Sequence, residues 1–202
     1  MALAGTTKLE AVNIMLNTIG EASTTKLDGT LPFEVSVAES TLDEVVKETQ
    51  MDSYVFNTSR DVEMATVTVG GKTQIPVDGN YMRIENTSTY EEYTIRNGFL
   101  YSTRDKTLEF TSSVTVDVVY ALDFEDLPEA VKRYCNIRAA RVYADRLVGS
   151  KDIRAFSQQD EFEAKAKLMN YEAGVDNVNM LRDGADTNAV INRRVGGRTS
   201  WL

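Results

Sequence analysis

DFEDLPE, residues 123–129, sets four carboxylates in seven positions: Asp123, Glu125, Asp126 and Glu129. Two carboxylates suffice for hydrolysis of a glycosidic bond, one protonating the leaving oxygen while the other attacks or activates water. Clustered acids can also hold calcium, but the spacing of an EF-hand is not present. The same acids precede and open a helical pattern, where the helix dipole and the capping positions favour them without any catalysis. Glu161 and Glu163 read in the same way, as a solvated helix face.

Other chemistry is narrowed by what the composition lacks. The 202 residues include no histidine, which excludes a Ser-His-Asp triad, a Cys-His dyad and an ordinary zinc site. Cys135 is the only cysteine, so no internal disulfide can form, and a reducing compartment fits. The two VGG stretches, at 69–71 and 195–197, match neither a phosphate-binding loop nor a dinucleotide fingerprint. The sequence therefore predicts no catalytic, cofactor-binding or metal-ligating residues.

Charge adds a second constraint. The formal net charge is −9, from 22 basic and 31 acidic residues. Three of the arginines lie in the closing INRRVGGRTSWL, which leaves −12 on the first 190 residues. Such a body repels phosphate backbones instead of gripping them. Trp201, the only tryptophan, stands one residue from the end. Arg193, Arg194, Arg198, Trp201 and Leu202 together have the residue types of an interface anchor.

The elements that carry these groups follow from periodicity. At 42% hydrophobic residues the chain can bury a real core, in one domain or two small ones. It has no apolar run long enough for a membrane span, and its opening MALAGTTKLEAV lacks a signal-peptide stretch. The spacing of Leu9, Val12, Leu16 and Ile19 predicts a first helix, with Thr7 and Glu10 as a capping box and Gly20 at its end. A second helix starts near Pro32, capped by Thr30, and turns Val35, Ala38, Leu42, Val45 and Thr49 inward. From Asn57 the period shortens to two. VTVGGKTQIPV and YTIRNGFLYS read as hairpins around Gly70-Gly71 and Asn97-Gly98, and LEFTSSVTVDVVYAL as a strand pair. Tyr90, Tyr93, Phe99, Tyr101 and Phe110 read as sheet packing.

Helical spacing returns at DLPEAVKRYCNIRAARVYADRLVGS, with Asp126 and Glu129 at capping-box separation. Leu127, Val131, Cys135, Ala139 and Val142 share one side, widened by Ala130, Tyr134 and Ile137. A fourth helix is expected over 152–171, with Ala155, Phe162, Ala166, Met169 and Ala173 inward and Gly174 ending it. Glu161 with Lys165 and Glu163 with Lys167 stand at i,i+4 spacing. The predicted fold class is thus α+β: a four-helix bundle made from N- and C-terminal helical hairpins, an inserted antiparallel β domain, and an extended C-terminal tail. The boundaries are 1–56, 57–125, 126–180 and 181–202. On the third helix, Lys132, Arg133, Arg138, Arg141 and Arg146 face only Glu129 and Asp145. Acids to match them belong to a neighbouring helix, or to another copy in a head-to-tail ring.

Four stretches, in order, resemble the tail tubular protein A family, the head-to-tail adaptors of T7-like short-tailed phages. They are KLEAVNIMLNTIGE at the start, SYVFN at 53–57, LPEAVKRYCNIRAARVYADRLVGS, and NVNMLRDG after the fourth helix. The family's tryptophan ahead of Phe-Asn is Tyr54 here. The resemblance implies a structural virion protein: a dodecameric ring beneath the portal, receiving the tail nozzle (tail tubular protein B), with a tail fibre attached nearby. Genomic DNA would pass through the lumen without specific binding during packaging and ejection, and the virion tail would be assembled in the host cytoplasm. Residues 184–202 would then reach the portal. The competing reading is a virion-associated glycan hydrolase using a carboxylate pair from Asp123, Glu125 and Asp126.

Overall fold

The computed structural model describes residues 5–86, 92–149 and 151–175, with side chains for all of these but 69, 86 and 151–157. The portal-docking residues Arg193, Arg194, Arg198, Trp201 and Leu202, like Tyr90, lie outside the described residues. Helix α1 (Lys8–Thr18) starts on the expected reciprocal cap. The Glu10 amide donates to Thr7 Oγ1 at 3.2 Å, and the Thr7 amide donates to Glu10 Oε2 at 2.9 Å. It ends where Gly20 turns left-handed at φ 85°. That turn lets the Gly20 and Glu21 amides satisfy the carbonyls of Asn17 and Leu16.

Helix α2 (Phe33–Gln50) begins after Pro32, which occupies the cap position, with no side-chain cap. Thr30, expected to cap it, lies outside the helix in the preceding turn. Proline's fixed φ and missing N–H are enough to start a helix there. Helix α3 (Glu129–Leu147) begins in the same way on Pro128, so Asp126 is not its cap. Helix α4 (Lys151–Val175) continues through Gly174, which was expected to stop it.

The four helices share one hydrophobic core. Val12, Met15 and Leu16 of α1 meet Val35, Ala38, Leu42 and Val45 of α2, Val131, Cys135, Ala139 and Tyr143 of α3, and Ala164 and Leu168 of α4. Helix α3 lies against each of the other three. Burial on several of its sides agrees with the broad apolar arc of its sequence: even Lys132 and Asn136 are only 7% exposed. Each fully buried Leu or Met here contributes roughly 1.5–3 kcal/mol relative to exposure.

Helix α4 is set differently from the sequence expectation. Ala164 and Leu168 point inward, at 3% and 0% exposure, while Phe162 and Met169 are 76% and 48% exposed. Ala166 and Ala173 are exposed as well; Ala155 falls outside the described side chains. The apolar pattern misleads because the inner face is partly polar. Glu161 is turned toward α3, and Glu172 Oε2 accepts the Val55 amide at 2.8 Å.

Among the described residues, seven antiparallel strands lie in the middle of the chain: β1 (Thr58–Met64), β2 (Val67–Val69), β3 (Lys72–Gln74), β4 (Tyr81–Asn86), β5 (Tyr93–Arg96), β6 (Phe99–Ser102) and β7 (Val114–Tyr120). The β2–β3 and β5–β6 hairpins close at Gly70-Gly71 and Asn97-Gly98 as expected, all four residues having positive φ. The stretch 108–122 supplies one strand, not a pair. Its β7 lies between β1 and β4, while Phe110, before β7, gives its amide to the Thr73 carbonyl. A second core gathers Met64, Ile75, Ile84, Leu100, Val116 and Val118. Of the expected packing aromatics, Tyr93 tilts against Phe110 at 6.0 Å and Arg96 covers the Tyr101 ring at 3.8 Å. Val118 and Val119 are adjacent and both fully buried, so this end of β7 is covered on both faces.

Candidate assembly surface

The acid-rich loop is used as a staple. Glu129 accepts the Thr6 amide at 3.1 Å and also the Thr6 hydroxyl. Glu125 Oε1 accepts the Lys8 amide at 3.1 Å, while its carbonyl takes Lys132 Nζ at 2.8 Å. The Thr6 hydroxyl bond holds the Glu129 carboxyl below its ordinary value. Glu125 and Glu129 thus satisfy free amides at the start of α1. Among the described residues no group of three His, Cys, Asp or Glu could hold a metal ion. Burial pushes the Cys135 thiol up to about 11, which makes it a core residue and a poor nucleophile.

Four of the five cations of α3 find partners within the chain. Lys132 lies over the Phe124 ring at 5.8 Å. Arg138 gives Nη2 to Glu48 at 2.7 Å and Nη1 to the Tyr134 hydroxyl at 2.8 Å. Arg141 joins Glu161 and stands 3.4 Å from Asp145. Arg146 takes both Glu44 oxygens, at 2.8 and 3.0 Å. The acids that the sequence left open are therefore on α2 and α4 of the same chain for Arg138, Arg141 and Arg146. Arg133 differs: it is exposed, with no ion pair among the described residues.

Two surfaces were not anticipated. One is a groove of about 400 Å³ between α1 and α3, lined by Ile14, Thr18, Arg133, Asn136, Ile137 and Ala140, with Asp160 of α4 also in its lining. Asn136 Oδ1 is buried there without a hydrogen-bond partner among the described residues. The other surface is the outward stripe Phe162, Ala166, Met169 and Ala173. Its 4-3-4 spacing is plain in the sequence; only its direction is not.

Other features bear on assembly. No described helix is long and apolar enough to cross a membrane. A family model described as tail tubular protein matches residues 9–178. Tail tubular protein A of Klebsiella phage KP34 is 29% identical over 156 residues, covering 76% of this chain and 81% of that protein. The family match runs from the second residue of α1 to beyond the end of α4 and so spans the described strands as well. The chain belongs to the tail tubular protein family, structural components of the phage tail.

Proposed function

We propose that the chain is the head-to-tail adaptor of a short-tailed phage. Copies form a dodecameric ring that joins the portal to the tail nozzle, with a tail fibre bound near the junction. The observation that supports this most is the family match over residues 9–178, joined to a body of strongly negative charge. An acidic wall repels phosphates, so DNA slides through the lumen in packaging and ejection without sticking. In this reading the role is structural, not enzymatic.

The four helices act as one bundle made from residues 1–56 and 126–180, with 57–125 as the inserted β domain. Within the tail of 181–202, residues 184–202 dock on the portal through Arg193, Arg194, Arg198, Trp201 and Leu202. Many weak contacts repeated around a ring add up to a firm joint. Of the α3 cations Lys132, Arg133, Arg138, Arg141 and Arg146, Arg133 is the member that faces the next copy with a charge free for a new ion pair, the other four being held within the chain. Assembly takes place in the host cytoplasm before the tail is completed.

The test uses Trp201, the only tryptophan of this chain, read as the emission of the mixture minus that of portal protein alone. Adding purified portal protein should shift that emission to the blue, and deleting residues 184–202 should weaken co-sedimentation with the portal while leaving the thermal transition in place. Unchanged emission together with undiminished co-sedimentation of the truncated chain would contradict portal docking by the tail.

A further inference from the structure

We infer that the Phe162–Met169 stripe of one copy seats in the α1/α3 groove of the next, so that this pair of surfaces is the joint between neighbours. The inference rests on the ring reading above and names the two faces that close it.

Three observations carry it. First, the stripe and the groove lie on opposite sides of α4. At about 100° per residue, Phe162, Ala166, Met169 and Ala173 fall within about 60° of one another and roughly opposite Asp160, which lines the groove. Faces set back to back on one subunit join head to tail and can propagate around a ring, whereas a self-complementary face would stop at a dimer.

Second, the shapes and polarities match. Phe162 is a large aromatic, 76% exposed, flanked by the small Ala166 and backed by Met169. The groove offers Ile14, 48% exposed, beside Ile137 and the small Ala140. An aromatic ridge entering an apolar groove is the usual centre of a protein interface.

Third, the charges are complementary. Glu163 borders the stripe on one side and Lys165 on the other; Arg133 and Asp160 border the groove. None of Lys165, Arg133 and Asp160 has an ion-pair partner among the described residues, and Glu163 meets only Gln159 at 3.5 Å. Seating the stripe pairs Glu163 with Arg133 and Lys165 with Asp160. Asn136, 7% exposed, lines the same groove.

Site-directed cross-linking tests the pairing. Cys135 is fully buried, so thiols introduced by Ile14→Cys and Phe162→Cys can be joined selectively with a short bis-maleimide. Mixing the two single variants should give a cross-linked dimer, and the double variant a ladder rising to the full ring. Cross-linking of Phe162→Cys with itself would show stripe against stripe and overturn the inference. A ring seen by native mass spectrometry that yields no ladder overturns this pairing and leaves the adaptor reading intact. Monomer alone, with or without portal protein, overturns both. Independently, Phe162→Glu should raise the concentration for half-assembly roughly tenfold or more, with an unchanged thermal transition showing that the chain still folds. An unchanged assembly midpoint contradicts the joint.

Discussion

Gln50 and Leu122, 72 positions apart, exchange two hydrogen bonds. The Gln50 amide Nε2 donates to the Leu122 carbonyl at 3.0 Å, and the Leu122 N–H donates to Gln50 Oε1 at 2.7 Å. Beside them, Asn57 Nδ2 donates to the carbonyls of Gln50 at 2.8 Å and Tyr120 at 3.3 Å, while Asn57 Oδ1 accepts the Tyr54 amide. The end of α2 and the exit from β7 are thereby locked together. These two amides are how the helical core holds the sheet.

Gln50 is 1% exposed, and Gln50→Leu takes the side-chain partner from both part-buried Leu122 groups. A loss of about 2–3 kcal/mol is expected in urea unfolding, and Asn57→Ala should lose a similar amount. Variants within 0.5 kcal/mol of the parent would remove the clamp from the account.

The rotational setting of α4 is checked by two truncations. Leu168→Ala opens a cavity in the helical core and should cost about 2–5 kcal/mol. Phe162→Ala, on the outer face, should stay within about 0.5 kcal/mol in the isolated chain. The reverse ranking would mean that the stripe faces inward after all.

Glu161 belongs to α3 in its partnerships, not to Lys165 one turn along its own helix. Glu161→Gln leaves Arg141 without its main partner in a half-buried setting and should destabilise by roughly 1–2 kcal/mol. Lys165→Ala should be nearly silent in the same thermal melts. Equal effects would restore the i,i+4 pair as the operative one.

Three carboxyls are held below the ordinary value of 4.5: Glu129 by the Thr6 hydroxyl, Glu85 by the Ser53 hydroxyl, and Glu44 by Arg146. A carboxyl whose folded-state value is depressed contributes stability above its unfolded value and loses it as pH falls through the folded one. Stability should therefore hold from neutral pH down to about 4.5 and decline below it. Thr6→Ala should shrink the difference between pH 7 and pH 3, and an undiminished difference would show that Glu129 draws nothing from Thr6.

Much of the fold was legible where local chemistry decides it. The Thr7–Glu10 cap, Gly20, both glycine-bearing hairpins and the inner face of α2 depend on neighbours within a few positions, and all stand as read. Other features depend on distant partners. Which strands β7 joins is settled by β1 and β4, far earlier in the chain. The direction of α4 is settled by Glu161 and Glu172, polar residues that anchor an inner face where an apolar count expects none. For the cations of α3, the sequence showed an imbalance but not that Glu44, Glu48 and Glu161 of the same chain answer it. Arg133, without an ion pair among the described residues, and the groove beside it emerge only once α1, α3 and α4 are side by side.

On the proposed function, this chain builds a ring. Native mass spectrometry of the purified protein, alone and with portal protein, tests it most directly, because the chain mass of 22.5 kDa makes each added copy countable. The account predicts one closed species of dodecameric mass. A monomer that persists at every concentration, with the portal present, would contradict it.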